Sequence, residues 1–238
     1  MVTLYQFLGG HGVSSYSPFC LKLETFLRMA EVPYEIKYTL NVKKSPTQKM
    51  PYIMHSQTLL SDSGLIVAYI KKTFDVDPDQ GLSAKQRAEA LAWSRLIEEH
   101  LYWVLLYSRW LDRRNDAVMK AVYFPDFPKL LKTPILAVLR PRIRRDLAGQ
   151  GLGRHREADM YAMGCRDLSA LSDFLGDKPY FFGDQVTALD ATAHAFLANL
   201  LYVPFQSPLN VHLQGLDNLV AYSDRMQQRY YGEGRAAE

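Results

Sequence analysis

The chain has 238 residues, 48% hydrophobic and 22% charged, a balance typical of a folded protein. Its net charge of +3 is too small to indicate nucleic-acid binding, and its two cysteines, Cys20 and Cys165, form neither a disulfide framework nor a metal-ligand spacing. No apolar run approaches the roughly 18 residues of a membrane span, and the first residues lack a signal-peptide pattern. We therefore expect a cytoplasmic protein with no metal and no membrane span.

Residues 1–75 carry the pattern of a small α/β domain. Short alternating or β-prone segments, each followed by turn residues, predict four strands over residues 2–8, 34–38, 51–55 and 58–61. Amphipathic spacing predicts one helix from Pro18 and another from Ser63, whereas the polar stretch 41–49 has room only for an abbreviated helical turn. The predicted order is β-α-β-β-β-α, with the last two strands paired as a hairpin.

The rest of the chain is predicted to be all-helical. A polar linker over residues 76–82 separates a domain over 1–75 from a second domain over 83–238. Helical periodicity predicts long helices over residues 84–112, 156–175, 188–202 and 216–229. Four prolines between residues 120 and 150 interrupt the pattern, so we expect only short helical pieces there.

The segment Ser17-Pro18-Phe19-Cys20 opens the first predicted helix. Ser17 is a favoured N-cap residue and Pro18 suits the first helical position. Backbone N–H groups are unpaired at a helix start, and the helix dipole favours negative charge there. The serine hydroxyl and the cysteine thiol therefore predict a place that holds a thiolate. Simple capping of the helix by Ser17 is the alternative interpretation.

Four motifs in chain order resemble those of the soluble glutathione transferases. They are the Ser17-Pro18-Phe19 turn, Met50-Pro51 before the third strand, the pair Asp62-Ser63, and Gly183-Asp184 with Thr187 and Asp190. Three features are most similar to the failed-axon-connections and metaxin-like branch in its bacterial form. They are the segment SPFCLKLETFLRMAEVPYE, the truncated second helix and the segment EEHLYWVLLYSRWLD. Some members of that branch are adaptors or import components rather than enzymes.

The resemblance implies a glutathione transferase fold, in which a thioredoxin-like α/β domain precedes an all-α domain. It implies a homodimer that binds glutathione between the domains as co-substrate, with no metal. Ser17 would be the catalytic residue, donating a hydrogen bond to the thiolate. The implied glutathione contacts are Phe19, Lys49, Met50, Pro51, Asp62 and Ser63.

Each implied contact has a specific partner on the tripeptide. A cis Met50-Pro51 bond would leave the Met50 backbone free to pair with the cysteinyl residue. Asp62 and Ser63, at a helix start, would hold the γ-glutamyl group, and this placement also suits plain helix capping. Lys49 would meet the glycyl carboxylate, although a surface lysine is often only solvated.

Other candidates compete for the chemistry. Cys20 is an alternative nucleophile, able to form a mixed disulfide with glutathione if it is exposed and its pKa is lowered; a small core residue is the opposing interpretation. Tyr5 resembles the tyrosine of other transferase classes only in kind. Four aromatics on the long helix predict an apolar substrate pocket, or else core or subunit interface: Tyr102, Trp103, Tyr107 and Trp110. Tyr107 and Trp110 are the favoured pair, because residues three apart share a helix face.

Two further groups carry weaker predictions. The arginines between Arg140 and Arg156 form a basic cluster whose role stays open, because most such clusters are solvated or paired and no interleaved aromatics suggest base stacking. His194 lies in an almost uncharged helix and is predicted to be a hydrogen-bonded core residue.

The sequence thus predicts a protein that conjugates the glutathione thiolate to a hydrophobic electrophile. A non-catalytic module that retains the fold, with or without the tripeptide site, is the main alternative, and the short segment 41–49 favours it. A third hypothesis is a Cys20-dependent reductase of glutathione mixed disulfides. No nucleic-acid partner is expected.

Overall fold

The computed structural model describes residues 1–232. Its single four-stranded sheet consists of β1 (Val2–Gln6), β2 (Tyr34–Tyr38), β3 (Tyr52–His55) and β4 (Thr58–Ser61). The spatial order is β2-β1-β3-β4, with β1 parallel to β2 and antiparallel to β3, and β3 antiparallel to β4. The strand predictions, including the hairpin, are confirmed.

Helices pack on this sheet and form the second domain. They are α1 (Pro18–Met29), α2 (Ser63–Phe74), α3 (Ala84–Arg95), α4 (Tyr102–Trp110), α5 (Asp116–Tyr123), α6 (Lys129–Gln150), α7 (Glu157–Leu175), α8 (Ala188–Leu201), α9 (Pro208–Gln214) and α10 (Asp217–Tyr231). Between β2 and β3 lies only the single 3₁₀ turn Val42–Lys44, as the polar segment predicted. None of the described helices is both long and apolar enough to cross a bilayer.

The long helix predicted over residues 84–112 forms, but it is not uniform. A π-helical segment, Leu96–Leu101, joins α3 to α4. Its residues Ile97 and Leu101 are fully buried in the core. A widened helical turn of this kind is a common feature of functional sites.

The prediction of short helical pieces over residues 120–150 is wrong for most of that range. Pro134 and Pro141 lie inside the continuous helix α6. Each proline deprives the carbonyl four residues earlier of its N–H partner. Those carbonyls belong to Leu130 and Ala137, which are both exposed, so water is available to hydrate them. The helix α9, which begins at Pro208 after its N-cap Ser207, was not predicted at all.

Helix α8 is the central element of the molecule. It packs against α1, and its Ala191 belongs to the hydrophobic core of the sheet domain. Its start is fixed by the predicted capping box, in which the buried Asp190 accepts hydrogen bonds from the Thr187 N–H at 2.7 Å and from the Thr187 hydroxyl at 2.8 Å. Asp190 also accepts from the Phe181 N–H and the Tyr222 hydroxyl, each at 3.1 Å.

The last helix returns to the first. The hydroxyls of Thr25 on α1 and Tyr231 on α10 lie 2.8 Å apart. Arg28 donates to the Tyr230 carbonyl at 2.8 Å, and its guanidinium lies over the Tyr231 ring, 4.4 Å from the centroid. The end of the described chain is therefore packed on the helix that carries the Ser17 turn.

His194 on α8 is fully buried, as predicted, but the expected hydrogen bond is missing. Neither ring nitrogen forms a well-directed hydrogen bond with a described residue, although the Gln227 side chain lies nearby. Its ring lies near Tyr231, 5.9 Å between centroids. Burial, only partly offset by nearby Gln227, lowers the pKa of His194 from 6.5 to about 3, so the imidazole is neutral in the folded protein.

His194 is expected to destabilise the protein in acid. Between pH 6.5 and about 3 the unfolded chain binds a proton at this residue and the folded chain does not, so stability falls as the pH falls. At about pH 5 this loss amounts to about 2 kcal/mol. His194→Leu should flatten the dependence of urea midpoints on pH, whereas His155→Gln, at an exposed histidine, should leave it unchanged. Equal slopes in the wild type and His194→Leu would contradict this assignment.

Candidate active site

The Ser17 turn has the geometry of a helix cap with a reachable hydroxyl. Ser17 is extended, with φ −91° and ψ 119°, and its Oγ accepts a long hydrogen bond of 3.4 Å from the Cys20 N–H. Its own N–H donates to the Oγ of the buried Ser15 at 3.3 Å. Ser17 is only half-buried, so a ligand beside the helix start can reach its hydroxyl, which also hydrogen-bonds the Cys20 sulfur.

Cys20 faces the protein interior rather than solvent. Its side chain is fully buried in a small cluster with Met50 and Tyr52. Burial raises the pKa of the Cys20 thiol to about 11, despite hydrogen bonds that lower it. A neutral and inaccessible thiol is a poor nucleophile, so this geometry counts against the Cys20 mechanism. Tyr5 stacks on Tyr52, 4.4 Å between ring centroids, beside the same cluster.

The Met50-Pro51 peptide bond is cis, as predicted. The Met50 side chain contacts the cluster around Cys20, so the fold brings this bond to the Ser17 turn from a distant part of the sequence. Among residues 1–232, the Met50 amide and carbonyl form no backbone hydrogen bond outside regular secondary structure. This free backbone edge is suited to pairing with an extended peptide.

Asp62 and Ser63 form the start of α2. Asp62 has a φ of 76°, a left-handed conformation that is uncommon for a non-glycine residue, and its Oδ1 accepts from the N–H groups of Gly64 and Leu65 at 2.9 and 3.0 Å. Ser63 is buried, and its Oγ lies 3.4 Å from the Lys22 Nζ on α1. The start of α2 thus lies beside α1, with Ser63 next to the Lys22 ammonium.

Lys22 lies beside the candidate site and was missed by sequence reasoning. It counts as a solvent-side residue of α1 in the helical pattern, yet it is only 7% exposed. Its ammonium also pairs with Glu98 of the π-helical segment at 2.5 Å. The pair joins the two domains directly behind Ser63. No signal in a single sequence distinguishes a buried, paired lysine such as Lys22 from a solvated one.

Aromatic side chains form a wall beside the Ser17 turn, but they are not those of the predicted pair, Tyr107 and Trp110. Phe19 packs edge-to-face on Tyr102 and Phe196, with ring centroids 4.9 and 5.4 Å apart. Burial raises the pKa of Tyr102 to about 12, so its hydroxyl stays neutral. Tyr102 was one of the aromatics recognised on the long helix; its contact with Phe19 marks it as the better pocket candidate.

Tyr107 and Trp110 face different neighbours. The Tyr107 hydroxyl donates to Glu157 at 2.7 Å, and its ring contacts Tyr161 of α7 at 5.8 Å. Trp110 packs on Tyr123 of α5 at 5.0 Å. Tyr123 in turn contacts Tyr16, next to Ser17, at 5.8 Å, so Trp110 approaches the turn through one intervening ring and Tyr107 does not.

The remaining predicted contacts are separate from this group. Lys49 is exposed and forms no ion pair with a described residue. In the basic cluster, Arg140 is instead buried against Asp116 and donates to the Trp110 carbonyl at 2.8 Å. No group of His, Cys, Asp or Glu that could hold a metal ion is found within residues 1–232.

Comparison with known proteins places the chain in a family. The model of the glutathione S-transferase N-terminal domain matches residues 18–115, and that of the glutathione S-transferase C-terminal domain matches residues 164–226. The isoprene-epoxide–glutathione S-transferase of Rhodococcus sp. (strain AD45) is 36% identical, over 97% of this chain and 99% of its own length. The chain belongs to the glutathione transferase family.

Relatives confirm the predicted branch of the glutathione transferase superfamily. Failed axon connections of Drosophila melanogaster is 28% identical over 97% of this chain and 58% of its own length. Human metaxin-1 is 30% identical over 96% of this chain and 51% of its own length. This family member therefore spans just over half the length of those two relatives.

Solved structures confirm the glutathione transferase fold. The β-etherase LigF from Sphingobium sp. strain SYK-6 superposes with a TM-score of 0.63 at 16% identity, covering 98% of this chain and 99% of its own. The apo form of human glutathione-S-transferase T1-1 gives a TM-score of 0.60 at 17% identity, covering 98% and 85%. The thioredoxin-like domain followed by a helical domain is thus the architecture that the resemblance implied.

Proposed function

We propose that this glutathione transferase family member binds glutathione between its two domains and conjugates the thiolate to a hydrophobic electrophile. The observation that supports this most is the convergence of three distant segments. The half-buried Ser17 hydroxyl, the free Met50 backbone and the start of α2 at Ser63 all adjoin α1 or the cluster around Cys20. Together they offer one group to each part of an extended γ-glutamyl peptide.

The proposed role of Ser17 is to stabilise the sulfur anion. A thiol with a pKa near 8.5 is mostly protonated at neutral pH. A hydrogen bond to the charged form contributes about 1.5–3 kcal/mol, which lowers the thiol pKa by about one to two units. The thiolate sulfur then attacks an electrophilic carbon, the bond to the leaving oxygen or halide breaks, and that group departs with the electron pair. Proximity in the cleft supplies further rate.

Epoxides are the electrophile class that we propose to test first. The Rhodococcus relative is named for isoprene epoxide and matches this chain end to end. The half-buried rings of Phe19 and Tyr102, packed on the buried Phe196, offer an apolar surface for a small substrate beside the turn. Opening an epoxide forms a carbon–sulfur bond, breaks a carbon–oxygen bond and leaves an alkoxide that takes up a proton from water.

Calorimetric titration with glutathione is the first experiment. We expect saturable binding, followed by glutathione-dependent loss of a small aliphatic epoxide or an aryl halide measured by product chromatography. Absence of both binding heat and thermal shift at millimolar glutathione would refute the proposal.

A non-catalytic binding module is the second candidate. Two observations favour it: the single 3₁₀ turn Val42–Lys44 leaves little structure between β2 and β3, and the exposed Lys49 is not positioned by any described partner. The glycyl end of the tripeptide would then be weakly held. Glutathione binding without turnover of any electrophile would support this candidate.

Ser63→Ala is expected to weaken glutathione binding. The substitution removes a hydroxyl at the proposed γ-glutamyl site but leaves the Asp62 cap in place. Loss of one hydrogen bond to a charged group corresponds to about a 10-fold rise in Kd. Thr133→Ala, which removes an exposed hydroxyl on α6, should leave the Kd unchanged. Equal affinities of the wild type and Ser63→Ala would remove Ser63 from the site.

We further propose a cytoplasmic homodimer. Exposed leucines lie on three successive elements: Leu59 on β4, Leu65 on α2 and Leu91 on α3. Apolar side chains exposed in this way are suited to a subunit interface. Sedimentation analysis should give twice the mass of one chain, and a charged substitution at Leu65 should shift the protein toward the monomer.

A further inference from the structure

A buried arginine of the helical domain holds the turn that carries Ser17. Arg109 on α4 is 2% exposed. Its Nη1 donates to the Tyr16 carbonyl at 2.8 Å and to the Tyr123 hydroxyl at 3.1 Å. Its Nη2 donates to the Asn199 carbonyl and to Asn199 Oδ1 at 2.6 and 3.0 Å. The guanidinium is thus fixed at the residue that directly precedes Ser17.

Asn199 on α8 continues this contact to the next residue of the turn. Its Nδ2 donates to the Ser15 carbonyl at 3.3 Å and to the Ala195 carbonyl at 3.1 Å. The Ser15 hydroxyl in turn accepts the Ser17 N–H. Arg109 and Asn199 therefore fix two successive peptide carbonyls of the turn, and both belong to the helical domain.

The charge of Arg109 is unbalanced. No carboxylate within residues 1–232 pairs with it, whereas two cations of α1 are paired: Lys22 with Glu98 and Arg28 with Glu24. Burying a cation with only neutral acceptors is unfavourable, because its hydration is lost. A neutral amide donor would hold a carbonyl without that penalty. The full positive charge of Arg109 beside the Ser17 turn is explained if an anion binds nearby.

We propose that Arg109 is a positioning residue for the Ser17 turn and that its unpaired charge stabilises the thiolate of bound glutathione. The inference rests on the proposed function. The inference extends that function, because it assigns part of the thiolate stabilisation to the helical domain rather than to Ser17 and the α1 dipole alone. A unit charge several Å away in a partly buried site shifts a thiol pKa by about one unit.

Other titratable groups around the turn cannot supply this charge. The Tyr16 hydroxyl is neutral, because burial raises its pKa, and it lies 3.0 Å from the His11 Nδ1. The Tyr123 hydroxyl donates to the Tyr16 carbonyl at 3.4 Å. Lys22 is neutralised by Glu98. Arg109 is therefore the buried cation to test.

Asn199→Asp provides the sharpest test, because it adds the missing counter-ion at nearly constant volume. The acceptor for Arg109 is retained, while the charge beside the turn is cancelled. We expect the pKa of glutathione bound to the full-length protein, measured from the ultraviolet absorbance of the thiolate against pH, to rise by about one unit. The melting temperature should change little, since the new ion pair offsets the lost Nδ2 contacts.

Two substitutions of Arg109 complete the test. Arg109→Met should raise the pKa of the bound thiol by a similar amount, and Arg109→Lys, which keeps the charge, should restore most of the shift. Arg144→Met, at an exposed arginine of α6 with no described partner, is the matched control and should match the wild type. If Arg109→Met does not fold, Asn199→Asp decides alone.

The outcomes separate the two proposals. No glutathione binding by the wild type refutes the proposed function, and with it this inference. A wild type that binds and ionises glutathione normally, with the same thiol pKa in Asn199→Asp and Arg109→Met, supports the proposed function and overturns the role of Arg109. A raised pKa in Asn199→Asp with an unchanged melting temperature supports both.

Discussion

Ser17→Ala is expected to lower kcat/KM for conjugation about 10- to 100-fold, which corresponds to the loss of one charge-assisted hydrogen bond of about 1.5–3 kcal/mol. The pKa of the bound thiol should rise, so the activity lost at neutral pH should be partly recovered in alkaline buffer. Glutathione affinity should change far less, because the proposed γ-glutamyl and cysteinyl contacts remain. Stopped-flow measurement of product formation as a function of pH gives both the fall in kcat/KM and the rise in the thiol pKa.

Cys20→Ala is the matched control for Ser17→Ala. Cys20 is fully buried and its raised pKa keeps the thiol neutral, so its removal should alter stability but not the pH dependence of conjugation. Loss of mixed-disulfide reduction in Cys20→Ala, with normal conjugation in Ser17→Ala, would instead support the reductase hypothesis. The two variants therefore assign the active group.

Asp190→Ala is expected to have the largest effect on stability. The change leaves the amides of Thr187 and Phe181 and the Thr187 hydroxyl without their buried acceptor, while the Tyr222 hydroxyl keeps the Asp190 carbonyl. Each orphaned donor costs about 1–3 kcal/mol, so the free energy of unfolding should fall by about 3–5 kcal/mol. For a chain of this length that is about a 10 °C drop in melting temperature, measurable by circular dichroism.

Asp217→Ala provides the comparison for Asp190→Ala. Asp217 is exposed in the first turn of α10, where its only expected contribution is to the helix dipole. Its removal should cost less than about 1 kcal/mol. Comparable losses for the two variants would show that the capping box of α8 does not anchor the helical domain.

Much of the fold was predictable because its signals are local. The Ser17 N-cap, Pro18 at the first helical position and the Thr187–Asp190 capping box each mark an element boundary within four residues. Helix α6 was missed because a proline inside a helix was expected to break it. That expectation ignores the water that can hydrate the carbonyl left without an N–H partner. The exposed Leu130 and Ala137 can leave their carbonyls to water, which the sequence does not reveal.

The site was predictable only where a motif carried it. Met50-Pro51 and Asp62-Ser63 were recognised by resemblance, and the cis bond is confirmed. Arg109 and Lys22 were missed because their roles arise from contacts between residues far apart in the chain. Tyr107 was favoured over Tyr102 because helical spacing shows which residues share a helix face. It does not show which neighbouring element that face packs against.

The return of α10 to α1 has a consequence for how such a chain can evolve. Tyr231, near the end of the described residues, shares a hydrogen bond with Thr25, and α8 packs along the same helix. A recombination event that exchanged the helical half alone would strip α1 of both supports and displace the loop that it carries. The two halves are therefore expected to be inherited together, and new substrate preferences to arise by substitution within them rather than by exchange of modules.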